Sequence, residues 1–119
     1  MAIEKENIHI LIIDDQPNNL RFLSNLLTKE GYKVQRAISG EMAVNANFTV
    51  LPDLILLDIA MLKMNGYEVC ERLKANEKTR EIPVIFLSVF NETFHKVKAF
   101  EVGGVDYITK PFQVEEVLV

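Results

Sequence analysis

Leu54-Ile55-Leu56-Leu57-Asp58 decides the fold. Four consecutive apolar residues read as a strand buried on both faces, as in a parallel sheet, and the run ends in a lone carboxylate. In open α/β sheets, ligands and chemistry sit at the carboxyl ends of the strands. Asp58 is therefore the first candidate functional residue. Two other runs end in the same manner: Ile8 to Ile13 stops at Asp14-Asp15, and Val105-Asp106-Tyr107-Ile108-Thr109 stops at Lys110-Pro111. If these strands are parallel neighbours, three acids and one lysine converge on a single spot.

Working outward, Pro17 suits the first turn of a helix, where a missing N–H costs nothing. Leu20, Leu23, Leu26 and Leu27 keep helical spacing, and Gly31 ends the helix. Lys33 to Ala37 alternates weakly and predicts a less buried strand at the sheet edge. Ser39 is an N-cap for a short helix running to about Asn47. Pro52-Asp53 introduces the central strand, and a loop follows from Ile59 to Asn65. Gly66, Val69, Cys70 and Leu73 share one face of a third helix. Pro83 precedes a fourth strand, Val84 to Leu87, closed by Ser88. Phe94, Val97 and Phe100 place a fourth helix, stopped by Gly103-Gly104. The fifth strand follows, then a fifth helix from Gln113. Strand and helix alternate five times with short connections, which predicts an α/β domain with a parallel sheet and right-handed crossovers.

The 119 residues make one domain, spanning 1–119, with a polar leader at 1–7. Apolar residues make up 49% and charged residues 25%, a composition that argues against disorder. A net charge of −4 argues against bulk nucleic-acid binding. The single cysteine, Cys70, excludes an internal disulfide framework and fits a reducing, cytoplasmic setting. No apolar run approaches the roughly 20 residues needed to cross a bilayer, so no membrane association is expected. The last helix, 113–119, is barely two turns and reads as truncated. Only Val114, Val117 and Leu118 are available to pack there, which predicts exposed apolar surface and self-association, a homodimer being the simplest form.

The convergent residues suggest a chemistry. Hard carboxylate oxygens with no His or Cys beside them favour Mg2+ or Mn2+ over zinc. With a divalent ion and Lys110 added, the charge balance suits the arrival of a phosphoryl group. Phosphoryl transfer needs positioning and charge neutralisation more than covalent machinery, and a carboxylate can be the nucleophile. The Ser88 hydroxyl could donate to a phosphoryl oxygen.

On these residues the chain resembles the receiver domain of two-component response regulators, stand-alone or as part of a hybrid histidine kinase. The matching pieces are Asp14-Asp15, Asp58, Ser88 and Lys110-Pro111-Phe112, each at a strand end and in order, with Met64-Asn65-Gly66 at the family's spacing after Asp58. The resemblance implies a flavodoxin-like (βα)5 doubly wound fold with a five-stranded parallel sheet in the order 2-1-3-4-5. It implies that Asp58 takes a phosphoryl group from a histidine kinase or histidine phosphotransfer protein. Asp15 would ligate Mg2+ directly, Asp14 mainly through water, and the backbone carbonyl of Ala60 would be a further ligand beside Asp58. Lys110 would pair with phosphoryl oxygens, the Lys110–Pro111 bond would be cis, and Ser88 with Tyr107 would form the switch pair. Such a domain acts on itself and is not an enzyme in the turnover sense. Three departures stand out: Val89 where the family usually has Ala, Leu62 where it commonly has proline, and the shortened last helix.

Plainer readings exist for each feature. Asp14-Asp15 alone could cap the first helix, Ser88 could be a turn residue, and Tyr107 could be strand packing. Cys70 on an apolar helix face is small core filler, His9 and His95 lack partners at metal-ligand spacing, and Met61 with Met64 reads as loop packing. Among whole functions, a pseudo-receiver acting by contacts alone would usually lack an acid or the lysine, and all are present here. An FMN carrier needs a phosphate loop after the first strand, where Asp14-Asp15-Gln16-Pro17 is acidic. An aspartyl phosphatase needs a D-x-D motif there, which is absent.

Overall fold

The computed structural model describes residues 7–88, 101–104 and 106–109. In chain order the elements are β1 (His9–Ile13), α1 (Pro17–Lys29), β2 (Lys33–Ala37), α2 (Gly40–Val44), β3 (Leu54–Asp58), α3 (Gly66–Ala75), β4 (Val84–Ser88) and β5 (Asp106–Thr109). The expected fourth helix at Phe94, Val97 and Phe100, the final helix from Gln113, and residues 1–6 of the leader lie outside the described residues. So do Val89, His95, Lys110, Pro111 and Phe112.

The five strands form one parallel sheet in the order β2-β1-β3-β4-β5. Strand alternation divides the apolar residues between two cores. Leu11, Ile13, Ile55, Leu57, Val84 and Phe86 pack with Ala43 of α2 and with Val69, Cys70 and Leu73 of α3. Ile10, Ile12, Leu56 and Leu87 pack on the other face with Leu20, Leu23 and Leu27 of α1. Each of those three leucines is nearly or fully buried, worth about 1.5–3 kcal/mol apiece relative to exposure. The predicted edge strand is β2, whose outermost position matches its weaker alternation.

The helix ends follow local chemistry. Pro17 opens α1. At its other end Tyr32 N–H donates to Leu27 O at 3.1 Å and Gly31 N–H to Thr28 O at 3.0 Å, with Gly31 at φ 103°. That is a Schellman closure, which needs the left-handed residue that glycine supplies. Ser39 Oγ accepts from Met42 N–H at 3.1 Å and caps α2 as expected. However, α2 stops at Val44 instead of reaching Asn47. Asn45, the C-cap, and Asn47 beyond it have low helix propensity, which favours the early end. Asn65 Oδ1 caps α3 by accepting from Glu68 N–H at 3.1 Å. No helix among the described residues is long and apolar enough to cross a membrane.

Candidate phosphoacceptor site

The pairing register places the three acids. Ile13 lies opposite Leu57, so Asp14 and Asp58 leave adjacent strands side by side at the carboxyl edge of the sheet. Asp14 is held there by its N–H, which donates to Ala37 O at 3.1 Å. Beyond Asp58, Ile59 N–H donates to Leu87 O at 3.1 Å, so the chain stays fixed to β4 past the carboxylate. One carboxylate oxygen from each of Asp14, Asp15 and Asp58 lies within 4.8 Å of the other two. Asp14 is 0% and Asp58 2% exposed, while Asp15 is half-buried.

The oxygens of the two leading acids are used differently. Asp14 Oδ1 accepts from Gln16 N–H at 2.9 Å, a turn bond that leads into α1. Gln16, the residue at the helix N-cap, makes no side-chain cap of its own. Asp15 Oδ2 accepts from Leu62 N–H at 3.0 Å, across to the β3–α3 loop. Asp15 Oδ1 is buried and has no hydrogen-bond partner among the described residues. A buried carboxylate oxygen without a donor is costly to desolvate, and a hard cation satisfies it with the ligand type such ions prefer. The residues present therefore fit a divalent ion. Because Asp15 bonds the β3–α3 loop, the plain helix-cap reading does not hold for Asp15.

Asp15 lines a cleft of about 700 Å3 together with Gln16, Ser39, Glu41, Ala60 and neighbours. Ala60, the expected carbonyl ligand, is thus on the same cleft as Asp15. Ser88 closes β4 opposite Thr109, and Tyr107 lies on β5 opposite Phe86, so the two expected switch positions fall on neighbouring strands. Lys110 and Pro111, and with them the expected cis bond, lie outside the described residues.

Two features of the β3–α3 loop escape a reading of side chains. Gly66 sits where a Cβ would run into the backbone carbonyl oxygen of Asp58 and lie 2.8 Å from Ile59 Cα. The start of α3 is thereby packed directly on the backbone at the end of β3, and Gly66 N–H donates to Ile59 O at 2.8 Å. The Met64-Asn65-Gly66 sequence carried a signal for the glycine and none for its neighbour across the gap. Leu62 contributes its backbone N–H and leaves its side chain 83% exposed, so nothing in the residue type announces it. Cys70 is core, as expected: its Sγ donates to Val102 O at 3.2 Å, and burial pushes its thiol up to about 11 against a partial opposing pull from Lys74. Met61 and Met64 pack against the α3-side core.

Comparison with known proteins agrees with this geometry. Residues 10–119 match the response regulator receiver domain family. The DNA-binding dual master transcriptional regulator RpaA of Synechocystis sp. is 42% identical over 109 residues, covering 92% of this chain and 45% of RpaA. The chain spans less than half the length of the curated relatives it matches. Among solved structures, the chemotaxis protein CheY4 of Vibrio cholerae superposes with a TM-score of 0.88 at 25% identity, covering 93% of this chain and 92% of that one. The receiver domain of the sensor histidine kinase PA1611 from Pseudomonas aeruginosa, solved with a magnesium ion coordinated in its active-site cleft, gives 0.84 at 28% identity, covering 93% and 91%. The fold, the order of the strands and the acids at their carboxyl edge are those of one family, and the chain belongs to it: the receiver domains of two-component response regulators.

Proposed function

We propose that this receiver domain is a phospho-accepting switch in which Asp58 is the acceptor. The observation that carries the reading is the placement of Asp58, nearly fully buried at the end of the central strand with Asp14 and Asp15 beside it. A carboxylate oxygen of Asp58 attacks the phosphorus of a phosphohistidine on a histidine kinase or phosphotransfer protein. The P–O bond forms as the P–N bond breaks, and the imidazole leaves with the electron pair and takes a proton. Asp14, Asp15, Asp58 and the Ala60 carbonyl would hold Mg2+, with Mn2+ as a substitute. The ion supplies charge neutralisation for the incoming phosphoryl oxygens.

The remaining assignments rest on sequence order and family membership. Lys110 pairs with a phosphoryl oxygen, and Ser88 with Tyr107 relays phosphorylation into a change of surface. The chain, 1–119, acts as one signalling unit in the cytoplasm, and its catalysis is confined to its own phosphorylation and dephosphorylation. Acetyl phosphate with Mg2+ tests this: wild type should acquire an acid-labile phosphoryl group and Asp58→Asn should not. Equal labelling of the two proteins refutes Asp58 as acceptor. Cation binding without labelling would instead favour a module that signals by contacts alone.

A further inference from the structure

Asp15 and Leu62 are 47 residues apart in sequence and lie on different loops, yet the Leu62 N–H donates to Asp15 Oδ2 at 3.0 Å. The other oxygen of that carboxylate, Oδ1, is buried and accepts from nothing among the described residues. Asp15 is also one of the three acids gathered within 4.8 Å. The backbone around the donor is shaped by its own loop: Met64 N–H donates to Leu62 O at 2.8 Å, and Lys63 sits at φ 67°. The Leu62 side chain takes no part, being 83% exposed.

A free aspartate must be ordered when it captures a cation, and that ordering costs side-chain entropy. In this chain one oxygen is already tied to backbone. We propose that the Leu62 N–H is a positioning group for cation capture: it secures Asp15 Oδ2 and leaves Oδ1 for a divalent ion, which couples ion binding to the order of the β3–α3 loop. This rests on the acidic cluster being the cation site proposed above. A hydrogen bond to a carboxylate is charge-assisted. Its coupling to ion binding is also reciprocal, so an ion that profits from the bond must strengthen it in turn.

The test compares Leu62→Pro, which removes the N–H, with Leu62→Ala, which keeps it and removes only the exposed side chain. Each full chain is titrated with MgCl2 by calorimetry, and amide exchange at Leu62 is followed by NMR in wild type with and without the ion. Leu62→Ala should bind as wild type does, and Leu62→Pro roughly three- to tenfold more weakly, the loss expected when one side chain must be ordered on binding. The Leu62 amide should exchange more slowly with Mg2+ bound, and be slowed by more than the neighbouring Gly66 and Val69 amides, which report the general stabilisation by the ion. The proposal is overturned if Leu62→Pro binds as tightly as Leu62→Ala, or if the ion slows Leu62 exchange no more than it slows Gly66 and Val69. Should Leu62→Pro not fold, the exchange measurement on wild type decides alone. Wild type that binds no Mg2+ refutes the cation site and this role together. Wild type that binds it while the Leu62 amide stays indifferent refutes only the positioning role.

Discussion

Replacing Gly66 by alanine puts a methyl group into the junction between α3 and the end of β3. The new Cβ would strike the Asp58 carbonyl oxygen and approach Ile59 Cα to 2.8 Å and Asp58 carbonyl carbon to 3.0 Å. All three are backbone atoms held by strand pairing, so no rotamer change relieves the overlap. Overpacking of this sort costs about 1–3 kcal/mol. Alanine is the better helix former by up to about 1 kcal/mol, and at the first helical position the gain is smaller. The balance is a loss of about 1–2 kcal/mol, which for a domain of this size lowers Tm by roughly 3–10 °C. Relief can come only by moving the start of α3 or the Asp58 peptide, so phosphodonor labelling should slow as well. Gly40→Ala is the control. Its Cβ would meet a methyl of Val69, and Met64 O at 3.3 Å, without touching β3. It should lower stability and leave the labelling rate per folded molecule near wild type. Thermal melts and acetyl phosphate labelling of the three proteins are the assay. A Gly66→Ala protein with wild-type Tm and rate would refute the claim that the glycine is there for the close approach.

Mg2+ should raise the Tm of wild type, with a stabilisation of about 1.4 kcal/mol at tenfold excess over Kd, and Asp15→Ala should lose most of it; scanning calorimetry with and without EDTA reads this. Cys70, raised from 9.0 to about 11 by burial, should resist maleimide in the native state at neutral pH and react on unfolding. Because its folded value is the higher one, the neutral thiol is favoured by folding, and its contribution to stability should fade as pH climbs from 9.0 towards about 11, a loss absent in Cys70→Ala. Lys74 Nζ donates to Arg80 O at 3.1 Å and Ile82 O at 2.6 Å, bracing the connection from α3 to β4. Lys74→Met should cost about 1–3 kcal/mol in urea melts, because it strips a charged donor from two carbonyls.

What was legible in the sequence was whatever side-chain pattern or local chemistry dictates. The apolar run of β3 ended at Asp58 as read, because burial on both faces leaves no room for a polar residue until the strand emerges. Ser39, Pro17 and Gly31 act at the helix ends where their chemistry belongs. The weak alternation of Lys33 to Ala37 marked an edge strand. The early end of α2 is not legible from Ser39 and the residues after it, which read as a helix as far as Asn47, whereas the helix closes at Asn45. The Leu62 N–H was invisible in principle, since every residue but proline carries one and only the fold brings this one to Asp15. Gly66 is half visible: the sequence around it marks a glycine, but the backbone of β3 against it emerges only when α3 is laid on the sheet.

The most direct test of the central claim is to trap the phosphorylated residue itself. Wild type treated with acetyl phosphate and Mg2+ is reduced with borohydride, which converts an acyl phosphate to the alcohol, and the modified peptide is located by mass spectrometry. The account predicts conversion at position 58 alone, dependent on Mg2+. Conversion at Asp14, Asp15 or a surface carboxylate, or none at any position despite bound Mg2+, would contradict it.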